Sequence, residues 1–197
     1  MSSLSERLQK LSRVTIPDRS ILGCLQALME HAQIPYALIG GLAVGVHGHA
    51  RSTEDVDALV ERLPDVSLLR DVEAMGKLGF YRGRSSTGTV LTLETKNVGG
   101  QVELIVASTF LEKAMLKQAQ PISLLGTTLP VLSPAGLVAG KVSVGMSAPR
   151  RAAKDLADAE SVIVAQGLTL ADFDPFFPLM NGASQEKLHE LLQRSQS

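Results

Sequence analysis

The sequence predicts an α+β fold: a small mixed sheet flanked by helices, with a helical part at the C-terminal end. Three stretches carry that reading. Leu38-Ile39-Gly40-Gly41-Leu42-Ala43 runs an apolar strand into a glycine pair that opens a helix. A second strand then carries Asp55 and Asp57 on either side of Val56, and the period-two alternation of strand side chains puts both carboxylates on one face. Finally, Leu91 and Leu93 alternate with Thr92 and Glu94, and Asn97-Val98-Gly99-Gly100 turns that arm into Gln101 to Val106, which carries Glu103.

The remaining elements follow in chain order. Ile21, Leu22, Leu25, Leu28 and Met29 form an i, i+3/i+4 stripe, a helix capped by Asp18 and closed by Pro35. Tyr36 to Ile39 is a short buried strand, Gly41 to about Val46 the helix after it, and His47-Gly48-His49-Ala50 the loop that returns to the acidic strand. The two histidines shape that loop, because Zn²⁺ would need further ligands and Cys24 is distant in sequence. Val66, Leu69, Val72, Met75 and Leu78 read as one amphipathic helix. Arg82 and Arg84 fall on a Gly/Ser-rich approach to the hairpin, read as irregular.

Beyond Thr109 the character changes. Phe110, Leu111, Met115 and Leu116 suggest a helix, and Ile122 to Val131, broken at Gly126, a second hairpin. Ser133-Pro134 has the form of an N-cap with proline at the first helical position. That helix runs through Lys141, and Pro149 starts another that reaches about Val164. Short turns around Phe173, Phe176 and Phe177 lead to a last amphipathic helix bearing Leu188, Leu191 and Leu192. The organisation expected is a core over 1–132 and a helical segment over 133–197 packed on it.

Composition narrows the function. A hydrophobic content of 45% supports a sizeable core, and a net charge of −1 supplies no global basic field for nucleic acid. The lone Cys24, set among leucines, reads as a packing residue in a reducing compartment. Neither a signal-peptide layout nor a membrane-length apolar run is seen, so a cytoplasmic location and no membrane partner are expected.

The glycine pair lets backbone N–H groups at a helix start approach a phosphate. Carboxylates converging at about 5 Å repel by roughly 3 kcal/mol per pair at an effective dielectric near 20, which one or two Mg²⁺ ions would relieve. A phosphate cradle beside such a pair points to chemistry on a nucleoside triphosphate.

Gly40-Gly41, then Arg51-Ser52-Thr53 and Asp55-Val56-Asp57, resembles the signature of the nucleotidyltransferase superfamily, and the local form resembles minimal nucleotidyltransferases and AbiEii-type toxins. Lys141 followed by Arg151, Lys154, Asp155 and Asp158 extends the likeness. The resemblance implies a nucleotidyltransferase (polymerase beta-like) fold and Mg²⁺-dependent transfer of NMP from an NTP to an acceptor hydroxyl. It implies Asp55, Asp57 and Glu103 as metal-binding and catalytic groups. Gly40, Gly41, Arg51, Thr53, Lys141, Arg151, Lys154 and Asp158 would bind the NTP, with the acids of the helix that Pro149 starts orienting its basic residues or a nucleobase. A tRNA end or a protein side chain as acceptor, and a toxin role beside a cognate antitoxin, are further implications. Two positions depart from the pattern: Gly41 stands where serine is common, and Glu103 where the third acid is usually aspartate. The competing reading keeps the fold as an inactive binding or regulatory module.

Overall fold

The computed structural model describes residues 20–48, 55–85, 88–95, 100–124 and 126–195. They build one mixed sheet of strands β1 (Tyr36–Leu38), β2 (Val56–Val60), β3 (Phe80–Ser85), β4 (Val90–Thr95), β5 (Gln101–Val106), β6 (Gln120–Leu124) and β7 (Thr127–Val131), in the order β3-β4-β5-β2-β1-β7-β6. β2 runs parallel to β5 and antiparallel to β1, while β1 runs parallel to β7.

Helix α1 (Ile21–Ala32) buries Leu22, Leu25, Leu28 and Met29, the stripe expected of it. Its cap is Ser20, whose hydroxyl accepts from the Gly23 N–H; Asp18 lies outside the described residues. The helix ends at Gln33 in the left-handed region, two residues before Pro35. α2 (Gly40–His47) begins at the glycine pair, one residue earlier than expected. The single helix expected from Val66 onward is two, α3 (Val66–Arg70) and α4 (Val72–Lys77). Asp71 breaks the run: its backbone is extended and its carboxylate accepts from the Ala74 N–H to start the second helix.

The approach to the hairpin is itself a strand, β3, paired with β4. In β4, Leu91 and Leu93 face the core and alternate with less buried neighbours, as expected. The second hairpin, β6 and β7, joins the same sheet through Leu38 opposite Val131. α5 (Phe110–Lys117) opens with a capping box in which Thr109 and Glu112 satisfy each other's backbone N–H groups. α6 (Pro134–Ser147) starts as expected, with Ser133 accepting from the Gly136 N–H and proline at the first turn. α7 (Pro149–Gln166), two short 3₁₀ turns (Leu170–Phe173 and Phe177–Leu179) and α8 (Gly182–Ser195) complete the chain. Among the described residues no helix is long and apolar enough to cross a membrane. Cys24 is buried.

Candidate active site

The parallel pairing of β2 with β5 decides the geometry. Asp57 stands directly opposite Glu103, so the two carboxylates project from one face of neighbouring strands. The intervening residues Ala58 and Leu104 are fully buried on the other face. Asp55 lies at a bend immediately before β2, exposed, and not within the strand as expected. Its charge still reaches both acids.

Burial, then Asp55, pushes the Asp57 carboxyl above the usual range, against the pull of Arg151, Lys141 and Lys154. Burial and Asp57 do the same to Glu103, again opposed by Arg151. These shifts are the mark of acids that lack a close counter-ion. Among the described residues no three acidic, histidine or cysteine side chains form a ready-made metal cage.

Gly40 meets this pair from β1. Its φ is +64°, in the left-handed region, and a Cβ there would lie 1.9 Å from Asp57 Oδ2. Only glycine fits. The Ile39 N–H donates to the Asp57 carbonyl at 2.9 Å, which fixes the start of α2 beside the carboxylate. The other end of α2 is also held. His47 Nε2 lies 2.7 Å from the Leu132 carbonyl and donates to it, and Gln166 on α7 donates to the His47 carbonyl at 2.7 Å. Burial lowers the pKa of His47, in keeping with a neutral ring held as part of the scaffold. His49, Arg51 and Thr53 lie outside the described residues.

Lys141 on α6 is 8% exposed, and its Nζ donates to Asp155 Oδ1 and Asp158 Oδ2, each at 2.7 Å. The i, i+3 spacing of the two aspartates on α7 turns both toward that one amine. The acids of α7 thus hold a lysine of the neighbouring helix, where the sequence reading had them orient the basic residues of their own helix or a nucleobase. Asp155 Oδ2 is buried without a hydrogen bond; Arg151 Nε stands 3.5 Å away, within ion-pair reach.

A cavity of about 530 Å³ opens between the sheet, α5, α6 and the start of α7. At one end it is lined by Gly40, Asp57, Glu103, Lys141, Arg151 and Asp155. The cavity therefore brings five of the expected site residues together, Gly40, Asp57, Glu103, Lys141 and Arg151, while Gly41, Asp55, Lys154 and Asp158 stand outside the lining. Leu59, Ile105, Leu111, Met115 and Val144 form an apolar remainder that the sequence reading did not assign. The signal was present, since Leu59 and Ile105 follow Asp57 and Glu103 by two residues and so share their face.

No protein-family model matches the sequence, and no curated protein matches it either. Solved structures do. An antigenic nucleotidyltransferase-like protein from Paracoccidioides brasiliensis superposes with a TM-score of 0.57 at 20% identity, over 89% of this chain and 87% of that one. The fold is that of the nucleotidyltransferases. The antibiotic-resistance factor ANT(2'')-Ia is similar in its solution structure, with a TM-score of 0.53 at 13% identity over 90% of both chains. Its crystal structure in complex with adenylyl-2''-tobramycin gives 0.51 at 12% over 90% of this chain and 96% of that one.

Proposed function

We propose that the chain is a metal-dependent nucleotidyltransferase that moves NMP from an NTP to an acceptor hydroxyl. The observation that carries this reading is the pairing of Asp57 with Glu103 on one sheet face, against a glycine whose missing side chain leaves room for the carboxylate. The donor set fits a hard divalent cation: oxygen ligands, crowded charge, and raised proton affinity with no ion pair to offset it among the described residues. Asp57 and Glu103 would hold Mg²⁺, with Asp55 at the rim. When bound, one or two such ions supply charge neutralisation for the triphosphate and its leaving pyrophosphate.

The chain's own residues do the rest. Backbone N–H groups at the start of α2 face the phosphates, with no side-chain hydroxyl at Gly41 to help. Arg151 adds a positive charge at the cavity wall, and Lys154 adds its field from outside it. Lys141 is already matched by two carboxylates, so its part is to fix α7 and thereby Arg151. Glu103 either completes the metal site or, left off the metal, accepts the acceptor's proton. The acceptor oxygen bonds to the α-phosphorus as the bond to the β-phosphate oxygen breaks, and pyrophosphate leaves.

The AbiEii-like resemblance adds a finer layer to this reading: a tRNA end or protein side chain as acceptor, a cytoplasmic toxin role, and a cognate antitoxin as partner. The test is transfer of label from each α-labelled NTP in the presence of Mg²⁺. Asp57→Asn should abolish it while circular dichroism reports an intact fold. Equal behaviour of variant and wild type across all acceptors would sink the enzyme reading. A second reading, a module that binds NTP without turning it over, is favoured by the absence of a three-acid cage among the described residues and by the matched charge of Lys141. It predicts calorimetric NTP binding with no transfer.

A further inference from the structure

The cavity has two chemically distinct ends. Along β2 and β5 the carboxylate row, Asp57 and Glu103, is followed two residues on by Leu59 and Ile105, about 6.6 Å farther along the strands. Leu111 and Met115 of α5 and Val144 of α6 line the same apolar chamber. Gly40 lies the other way. Leu38 pairs with Ala58 in the antiparallel β1–β2 ladder and the Ile39 N–H donates to the Asp57 carbonyl, so the chain reaches Gly40 after passing Asp57 on its way from the Leu59 end.

We infer that this apolar chamber is the acceptor site, and that it takes a small uncharged alcohol with an apolar body. The inference rests on the transferase reading and names its acceptor class. An in-line displacement puts the attacking oxygen opposite the departing pyrophosphate. With the phosphate cradle at Gly40 on one side of the carboxylates, the attacker enters from the other side, where the chamber is.

The lining then selects the attacker. Among the described residues the one charged side chain at the chamber's far end is Glu112, and its Oε2 accepts from the Ser108 and Thr109 N–H groups. The cations of the lining, Lys141 and Arg151, act on the Asp57 carboxylate, and among the described residues no further lysine or arginine lines the cavity to track a nucleic-acid backbone. The sole acid is engaged in a helix cap, which leaves a polycation without an anchor. Ser143 Oγ, buried with no hydrogen-bond partner, is a polar atom of this wall for an acceptor's oxygen to meet. In the reaction the alcohol oxygen bonds to the α-phosphorus, pyrophosphate takes the electron pair of the broken α–β bridge, and the alcohol's proton passes to Glu103.

The test uses the full chain loaded with Mg²⁺ and a non-hydrolysable NTP analogue, titrated calorimetrically with linear alkanols from butanol to octanol. Affinity should tighten about fourfold per added methylene until the chamber is full. Val144→Arg, which places a charge in the wall at a half-exposed position, should weaken octanol by about tenfold or more. Its unfolding midpoint reports whether it folds, and Ser143→Ala, a conservative change, should raise the alcohol KM in any case.

A parallel assay with α-labelled NTPs should move label into a solvent-extractable alkyl phosphodiester. Label appearing instead on tRNA, on protein or on a polycationic aminoglycoside, with no chain-length dependence of alkanol binding, overturns the acceptor assignment and leaves the transferase reading standing. Alkanol binding to a chain that takes up no Mg²⁺-NTP overturns both, since the chamber would then be an apolar site without the chemistry. Binding of Mg²⁺-NTP with no alkanol binding and no label transfer overturns the acceptor assignment and favours the non-transferring module.

Discussion

Two groups of acids stand at or beside the same cavity and are treated in opposite ways. Asp155 and Asp158 are buried and share the amine of Lys141 through two short charge-assisted hydrogen bonds. Asp57 and Glu103 stand shoulder to shoulder on neighbouring strands, and among the described residues neither makes an ion pair. The first group is completed by the chain itself and holds α6 against α7. The second is left, among the described residues, without a counter-ion at a point that the cavity reaches, which is where perturbed acids at functional sites are found. Chemistry of the side chains does not separate the two groups; the positions of their counter-ions do.

The contrast breaks most sharply at the lysine. Lys141→Met should leave two buried aspartates without a partner and cost about 3–5 kcal/mol of stability, read from urea unfolding. A cost near zero would mean that water or Arg151 takes over and that the triad is not structural. Next comes the glycine. Gly40→Ala should cost about 1–3 kcal/mol through the left-handed backbone and the collision with Asp57, and should weaken Mg²⁺-dependent NTP binding in calorimetry. A fully stable variant with unchanged binding would show that the cradle has slack.

Asp57→Asn should act in the opposite direction on stability. Removing one of two adjacent charges should raise the metal-free thermal midpoint by about 2–4 °C for each kcal/mol of repulsion relieved, while transfer is lost. Loss of stability instead would place Asp57 among the structural acids. The smallest effect is in pH. Both carboxyls keep their protons to higher pH in the folded chain than in the unfolded one, so the folded state binds more protons across a window opening at the ordinary carboxylate range, about pH 4. Within that window their contribution to stability falls as pH rises. The thermal advantage of Asp57→Asn over wild type should therefore grow from about pH 4 toward neutrality, and Mg²⁺ should erase it at neutral pH far more than at pH 4. A gap that shrinks with rising pH would reverse the sign assigned here.

Much of this was legible in the sequence because it depends on local rules. The glycine pair needed only its position between an apolar run and a helical one, whereas the place of Glu103 beside Asp57 came from the family resemblance and not from strand alternation. Features set by distant pairing were not legible. β3 was hidden because Arg82, Gly83, Arg84 and Ser85 carry little strand propensity, and β4 beside it organises them. β7 joins the sheet through a parallel contact with β1, nearly a hundred residues earlier in the chain, which no local pattern encodes. The break at Asp71 was masked by apolar residues that kept helical spacing across it. The fate of Lys141 was also hidden: spacing put Asp155 and Asp158 on one face, but only the packing of α6 on α7 brings the amine between them.

Helix α2 has a role beyond its glycines. It is a rod of eight residues, about 12 Å long, with its first residue against the Asp57 carboxylate and its last clamped to Leu132 and to Gln166 at the far end of α7. A rod pinned at both tips passes on displacement. A shift of α7 is thus delivered along this strut to the bend beside Asp57, so the clamp at His47 ties the position of the C-terminal helices to that of Gly40.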